Sequence, residues 1–412
     1  MNWPRGFIAL NARNYRLFFF GQAISLIGTW MTTTAALWLA YHLSSSALML
    51  GLIGFAGNAP IFLLAPFAGV WIDRVNRHRL LLLTQTLSMI QSLTIAVMTY
   101  EHVINMPWLV ALMFLQGAIN GVDMPVRQVM VVEFVERKEH LGNAIALNSS
   151  AFNLARLIGP AIAGFVIVLS GAAGCFLVDG LSYLAVIFCL LAMRLNTEMP
   201  SRKQQHPFQE LREGFQYALG MRPIRAIMIT VTLISFLGFS YAILTPIFAR
   251  EIFHGDAKTL GYLMSSTGVG ALLGASYLGS RTTVRGLGTV IAIGGSLMSA
   301  GLVTFGLSRW FPLSLAAMAL LGVGGVLVMA SSNTVLQTLT DDARRGRVMS
   351  IFGMTFTGTM PLGNLVIGAF TRDFGVSAAL LVSGGICALV TLNFYRQLPD
   401  LRAAAAPLLD GH

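Results

Sequence analysis

From Tyr15 onward, apolar runs of 20 or more residues follow one another, separated by short polar turns. Each is long enough, as a helix, to cross about 30 Å of hydrocarbon. The runs fall at roughly 14–41, 47–72, 79–100, 106–130, 141–170 and 172–194, then at 222–250, 259–280, 286–308, 311–338, 346–370 and 375–396. This pattern specifies an all-α polytopic membrane protein of twelve transmembrane helices. Six plus six about a polar centre is the layout of two repeats related by pseudo-symmetry. The reading gives an N-terminal six-helix bundle (1–194), a linker (195–221) and a C-terminal bundle with a short tail (222–412).

Charge supports this reading and excludes others. Only 11% of residues are charged and mean hydropathy is +0.72, whereas a soluble domain carries about 25% charged residues. The net charge of +10 would suit nucleic acid, but its placement does not. On this topology 22 of the 27 Lys and Arg lie on one side, and Arg250, Lys258, Arg309 and Arg372 on the other, with Arg156 inside a span. Cations gather on the cytoplasmic face, so both termini are expected there. Cys175, Cys189 and Cys387 lie in apolar runs without paired spacing, which gives neither a disulfide framework nor a zinc motif. The polar stretch 11–16 before a full-length run argues against a cleavable signal peptide.

Two segments read as interfacial. The basic lead-in 1–13, with Trp3 and Phe7, is expected to lie along the cytoplasmic surface. In the linker, Phe208, Leu211, Phe215, Ala218 and Leu219 recur at helical spacing among charged residues, the pattern of an amphipathic helix; a flexible tether is the alternative. Gly117-x-x-x-Gly121 and Gly270-x-x-x-Gly274 are expected to let helices approach closely.

Ionisable groups inside a span are costly, by roughly 2.5–3.5 kcal/mol near the centre. The chain places Asp123, Arg156 and Asp179 there, all in its first half. Asp123 and Arg127 sit at i and i+4 on one helix face, with Pro125 between them. Asp123 reads either as a proton site held by Arg127 or Arg156, or as a structural ion pair. Gly159-Pro160 in the fifth span permits a helix bend. Polar candidates for a substrate cavity are Gln22, Asn58, Gln116, Asn120, Asn153, Tyr241, Ser332, Asn333, Gln337 and Asn364; interhelical hydrogen bonds explain such residues equally well.

The short turn after the second span reads Gly69-Val70-Trp71-Ile72-Asp73-Arg74-Val75-Asn76-Arg77-His78-Arg79. It resembles the G-x-L-x-D-R-x-G-R-[RK] signature of the major facilitator superfamily, with Trp71 in the aliphatic slot and Asn76 in the second glycine slot. Asn tolerates positive φ, which makes that exchange mild. The resemblance implies the major facilitator fold. It also implies a gating role for Gly69, Asp73, Arg74, Arg77 and Arg79 together with Gly346 and Arg347 at the start of the eleventh span, with Arg127 as a further arginine. A topology signal alone is the alternative. The stretches 126–144, 211–225 and 336–350 are similar to the drug-proton antiporter branch, which includes enterobactin exporters and macrolide-efflux proteins. The fifth span partly matches that branch's exporter motif, with Ala155 and Phe165 in glycine slots. Met113 stands where the branch has a fourth-span arginine.

These features imply a secondary transporter of the bacterial cytoplasmic membrane. It would export a small amphipathic or hydrophobic compound, of drug or siderophore type, by alternating access and in exchange for protons. A lipid or lysophospholipid transporter of the same fold is the alternative. A non-transporting receptor is disfavoured by short loops with no soluble module. Expected partners are a small-molecule substrate, protons and the lipid bilayer, without nucleic acid, and the protein is expected to be monomeric. No triad, metal cluster or paired carboxylate suggests an enzyme, a cofactor or a metal site.

Overall fold

The computed structural model describes residues 3–72, 75–135, 137–193, 215–281 and 283–400, with the backbone alone at 5, 65–72, 138, 342 and 343. Among the described residues the chain is helical, without strands. The helices are α1 (Arg13–Ser44), α2 (Ala47–Ile72), α3 (Arg77–Tyr100), α4 (Met106–Phe134), α5 (Leu141–Leu191), α6 (Arg222–Ile252), α7 (Ala257–Gly279), α8 (Leu287–Leu307), α9 (Phe311–Leu339), α10 (Asp342–Phe374) and α11 (Val376–Arg396). Nine of them are long and apolar enough to cross a membrane. The other two, α7 and α10, have spanning length at 23 and 33 residues but are richer in Gly, Ser and Thr.

α5 accounts for two crossings. Its 51 residues exceed any bilayer, and Gly171 breaks it with φ +72° and ψ 179°. That region of backbone space is almost closed to residues with a Cβ. The two legs fold back on each other, since the Cys175 thiol reaches the Ala163 carbonyl at 3.7 Å. The break falls between the fifth and sixth expected spans. Eleven helices, one of them doubled, therefore supply twelve membrane-length segments among the described residues.

The chain divides into two compact units. Unit 1 comprises 1–45, 56–204 and 255–265; unit 2 comprises 46–55, 205–254 and 266–412. Within unit 1, α4 crosses α2 at Gly117 and Gly121, where an added Cβ would meet the Gly57 carbonyl at 2.7 Å and the Pro60 carbonyl at 3.2 Å. Within unit 2, α7 crosses α9 at Gly270 and Gly274, against the Ala319 and Val323 carbonyls. Small residues matter at such crossings because lipid gives helices no hydrophobic reason to associate; contact area must come from close approach.

The lead-in differs from the surface segment expected. Residues Arg5–Asn11 form a 3₁₀ turn, and Ala9 and Leu10 are buried with Phe18, Met130 and Phe134 of unit 1. Asn143 of α5 clamps it, donating to the Gly6 carbonyl at 2.8 Å and accepting from the Ala9 N–H at 3.0 Å. Phe7 stays 47% exposed. In the linker, residues 215–220 are helical; the rest of the expected amphipathic segment lies outside the described residues.

α6 departs from regular α-geometry twice, in π-helical turns at Ile234–Gly238 and Phe248–Ile252. Such turns leave carbonyls out of register and widen a helix locally.

Candidate functional site

Asp123 and Asp179 are the only acids that are buried among the described residues, at 1% and 2% exposure, and both belong to unit 1. Their surroundings differ. Asp123 lies on α4, where Pro125 removes one backbone donor. Its Oδ1 accepts from Thr84 Oγ1 and from Gln85 Nε2, each at 2.7 Å. Its Oδ2 pairs with Arg127, one turn along the same helix. A buried carboxylate with one cation and two further donors has its charge compensated and its lone pairs used.

Asp179 lies on the second leg of α5. Its Oδ2 accepts from Thr32 Oγ1 of α1 at 2.9 Å and from Ser92 Oγ of α3 at 3.0 Å. Its Oδ1 is buried without a hydrogen-bond partner. No cation pairs with it among the described residues. Gly28 of α1 makes room for the carboxyl, since a Cβ there would lie 2.7 Å from Oδ1.

A stripe of polar residues on α3 connects the surroundings of the two acids. Thr84, Gln85, Ser88, Gln91 and Ser92 are all buried, spaced as one face of a helix. Thr84 and Gln85 serve Asp123, and Ser92 serves Asp179. Between them, Ser88 accepts from Gln116 Nε2 at 3.2 Å, and Gln116 bonds Asn120 at 3.2 Å. The Tyr183 hydroxyl lies beside those of Ser88 and Thr29. Tyr183 is also one turn beyond Asp179 on the same leg. The stripe covers eight residues of rise, about 12 Å.

The sequence reading picked out Asp123, Arg127, Asp179, Gln116 and Asn120. It passed over Thr32, Thr84, Gln85, Ser88, Ser92 and Tyr183. The signal was available in the helical spacing of positions 84, 85, 88, 91 and 92 within an otherwise apolar span.

Arg156 pairs with no acid among the described residues. It lies half-buried on the first leg of α5, with its guanidinium carbon 5.7 Å from the centre of the Trp30 ring. Phe152 meets the same indole edge-on at 5.6 Å. Gly159 fixes the crossing of α1 and α5, because a Cβ there would come within 2.5 Å of Trp30 Cβ. Backbone dihedrals remain helical at Gly159 and Pro160; Gly171 is the non-helical residue of α5.

The other candidates scatter. Gln22 is buried, with Oε1 unpartnered, and Asn58 is half-buried. Asn153 turns back to donate to the Ser149 carbonyl at 2.9 Å. In unit 2, Tyr241 and Ser332 are buried, and the Ser332 hydroxyl is unpartnered. Asn333 accepts from Gln337 one turn on. Asn364 is buried where α10 meets the start of α2; its carbonyl and Nδ2 fill the space that side chains at Gly51 and Gly54 would need.

Of the gating candidates, Asp73 and Arg74 lie outside the described residues, and Gly69 falls where only backbone is described. Arg77 pairs with Glu133 of α4. The Arg79 N–H donates to Asn76 Oδ1 at 3.0 Å, so Asn76 caps α3. Its φ is −66°; capping, not tolerance of positive φ, explains Asn in that slot. Gly346 is exposed and Arg347 half-buried near the start of α10. Among the described residues no group of three His, Cys, Asp or Glu is set to hold a metal ion.

Comparison with known proteins places this arrangement. A family model described as transmembrane secretion effector matches residues 5–409. The staphyloferrin A transporter of Staphylococcus aureus is 25% identical over 92% of this chain and 95% of its own length. The multidrug efflux pump Tap of Mycolicibacterium fortuitum is 24% identical over 95% and 98%. Macrolide efflux protein A of Streptococcus pyogenes is 19% identical over 94% and 98%. Among solved structures, a POT family transporter in complex with a thioalcohol-conjugated peptide has the same fold, with a TM-score of 0.77 at 14% identity over 94% of this chain and 96% of that one. A bacterial homologue of the human lysosomal transporter Spinster, inward-facing and unoccupied, gives 0.65 at 14% identity over 96% and 97%.

Proposed function

Because the chain belongs to the transmembrane secretion effector family, whose members are major facilitator transporters and not enzymes, we propose that it exports a small amphipathic or hydrophobic compound by alternating access, in exchange for protons. Relatives named for a siderophore, for multiple drugs and for macrolides support the export of such compounds.

The observation that carries the proton reading is the contrast between the two buried acids. Asp123 is the fixed charge, neutralised by Arg127 and bonded by Thr84 and Gln85. Asp179 faces hydroxyls alone and keeps one oxygen unpartnered. It is the group free to accept and release a proton. Buried acids without a structural counter-ion inside a membrane are the usual carriers in such proteins. The hydroxyls of Ser92, Tyr183, Ser88 and Thr84 offer a path along α3, because each can donate and accept in turn.

In this reading the chain is a monomer of the bacterial cytoplasmic membrane with both termini cytoplasmic. The arginine-rich turn at 73–79, with Gly346 and Arg347, keeps the gating role that the sequence resemblance implies. The test is efflux from proteoliposomes with an imposed pH gradient. Transport that follows the gradient supports coupling; transport unchanged when the gradient is collapsed refutes it.

A further inference from the structure

Resting on the exporter reading above, we infer that Arg156 and Trp30 form an oxyanion subsite, and that the transported compound carries a carboxylate on a flat apolar body. Three observations lead there. First, Arg156 is a cation in mid-span that pairs with no acid among the described residues. Of the two buried acids, Asp123 is paired with Arg127 and Asp179 accepts from Thr32 and Ser92; neither pairs with Arg156. An unpaired cation at that depth belongs in a bundle interior or a water-filled cavity, not against lipid.

Second, its geometry leaves the binding edge open. The guanidinium carbon lies over the Trp30 indole, 5.7 Å from the ring centre, and a guanidinium binds oxyanions through its N–H edge with two parallel hydrogen bonds. A cation–π contact of this kind attracts the guanidinium to the ring without using those donors in hydrogen bonds. Asn153, one turn before it on α5, is turned away to the Ser149 carbonyl and does not occupy the fork. The arrangement is rigid, because Gly159 locks α5 against α1 at Trp30 itself.

Third, the neighbourhood is aromatic. Phe152 is 44% exposed and stands at 68° to the indole. Together they offer an apolar face beside a positive edge, which suits a planar body bearing an anionic group and repels a cationic one.

The experiment uses the purified full-length protein in detergent and two matched probes, 2-naphthoate and its neutral amide, 2-naphthamide. Binding is measured by equilibrium dialysis. The wild type is expected to bind the carboxylate about tenfold more tightly than the amide, the scale of one charge-assisted hydrogen bond. Arg156→Gln is expected to bind both alike, with amide binding kept as evidence of an intact site. Arg156→Lys, which retains charge but loses the fork, is expected to show a reduced preference. Should Arg156→Gln bind neither probe, Arg156→Lys decides: a reduced or lost carboxylate preference supports the subsite and an undiminished one overturns it. A wild type that binds both probes equally, or neither, also overturns it, as does an Arg156→Gln protein that keeps the preference. Efflux of 2-naphthoate and of erythromycin, each driven by a pH gradient, is run alongside. If efflux of either compound persists while the carboxylate preference is absent, the subsite falls and the exporter reading stands; if neither compound is driven out, the exporter reading fails.

Discussion

Ser92 Oγ donates to Asp179 Oδ2 across 3.0 Å, tying α3 to the second leg of α5 at an acid that meets no cation among the described residues. Eight residues earlier on the same helix, Thr84 donates to Asp123, which does meet one. One helix thus serves a neutralised acid and an acid supported only by hydroxyls. The functional reading rests on that difference.

If the hydroxyls along α3 conduct protons to and from Asp179, removing one should slow coupling without blocking substrate. Tyr183→Phe keeps the ring and loses the oxygen that lies beside Ser88 and Thr29. The expected outcome is a several-fold fall in pH-gradient-driven efflux from proteoliposomes, with substrate counterflow at equal pH retained. Unchanged driven efflux would mean that protons take another route.

The Asp123–Arg127 pair should behave as a structural unit. Asp123→Ala leaves Arg127 without its carboxylate in a site where the acid is 1% exposed, and breaking such a pair costs roughly 3 kcal/mol. Asp123→Asn with Arg127→Gln replaces the ion pair by neutral hydrogen-bonding groups and should recover most of the loss. Thermal unfolding in detergent of the single and double variants checks this by their non-additivity.

Gly159→Ala should push α1 and α5 apart, because the new methyl would come within 2.5 Å of Trp30 Cβ. Overpacking of this kind costs about 1–3 kcal/mol. A lowered unfolding temperature together with a shifted tryptophan emission spectrum is the expected signature, since Trp30 is the group displaced.

At Gly171 the prediction has a different cause. Nothing lies within 4 Å of a Cβ built there, yet φ is +72°. Gly171→Ala should therefore cost about 1–3 kcal/mol through backbone strain alone. Thermal unfolding reads the loss. A variant at Ser170 or Ala172 carries no such backbone penalty and serves as the control.

Much of the fold could be read from the residues in order. The length and spacing of the apolar runs located the helices, and the limits of the fifth and sixth spans left Gly171 at the turn. Gly117 and Gly121, and Gly270 and Gly274, announced close crossings by their i, i+4 spacing. What spacing does not carry is the identity of the opposing helix. Asn364 read as a cavity residue because it is polar and mid-span, but it fills the space left by Gly51 and Gly54. Asn76 read as a substitute for glycine, whereas its side chain caps α3. The α3 stripe escaped notice because Thr and Ser are cheap in a span: they satisfy themselves on their own helix, as Thr86 and Thr94 do, so their presence alone signals little.

The account stands most directly on Asp179. Purified protein in liposomes loaded with a pH-sensitive dye, given a compound that it exports, should move protons in step with that drug. Asp179→Asn should abolish that proton movement while leaving drug counterflow measurable. Proton movement undiminished in Asp179→Asn would contradict the account.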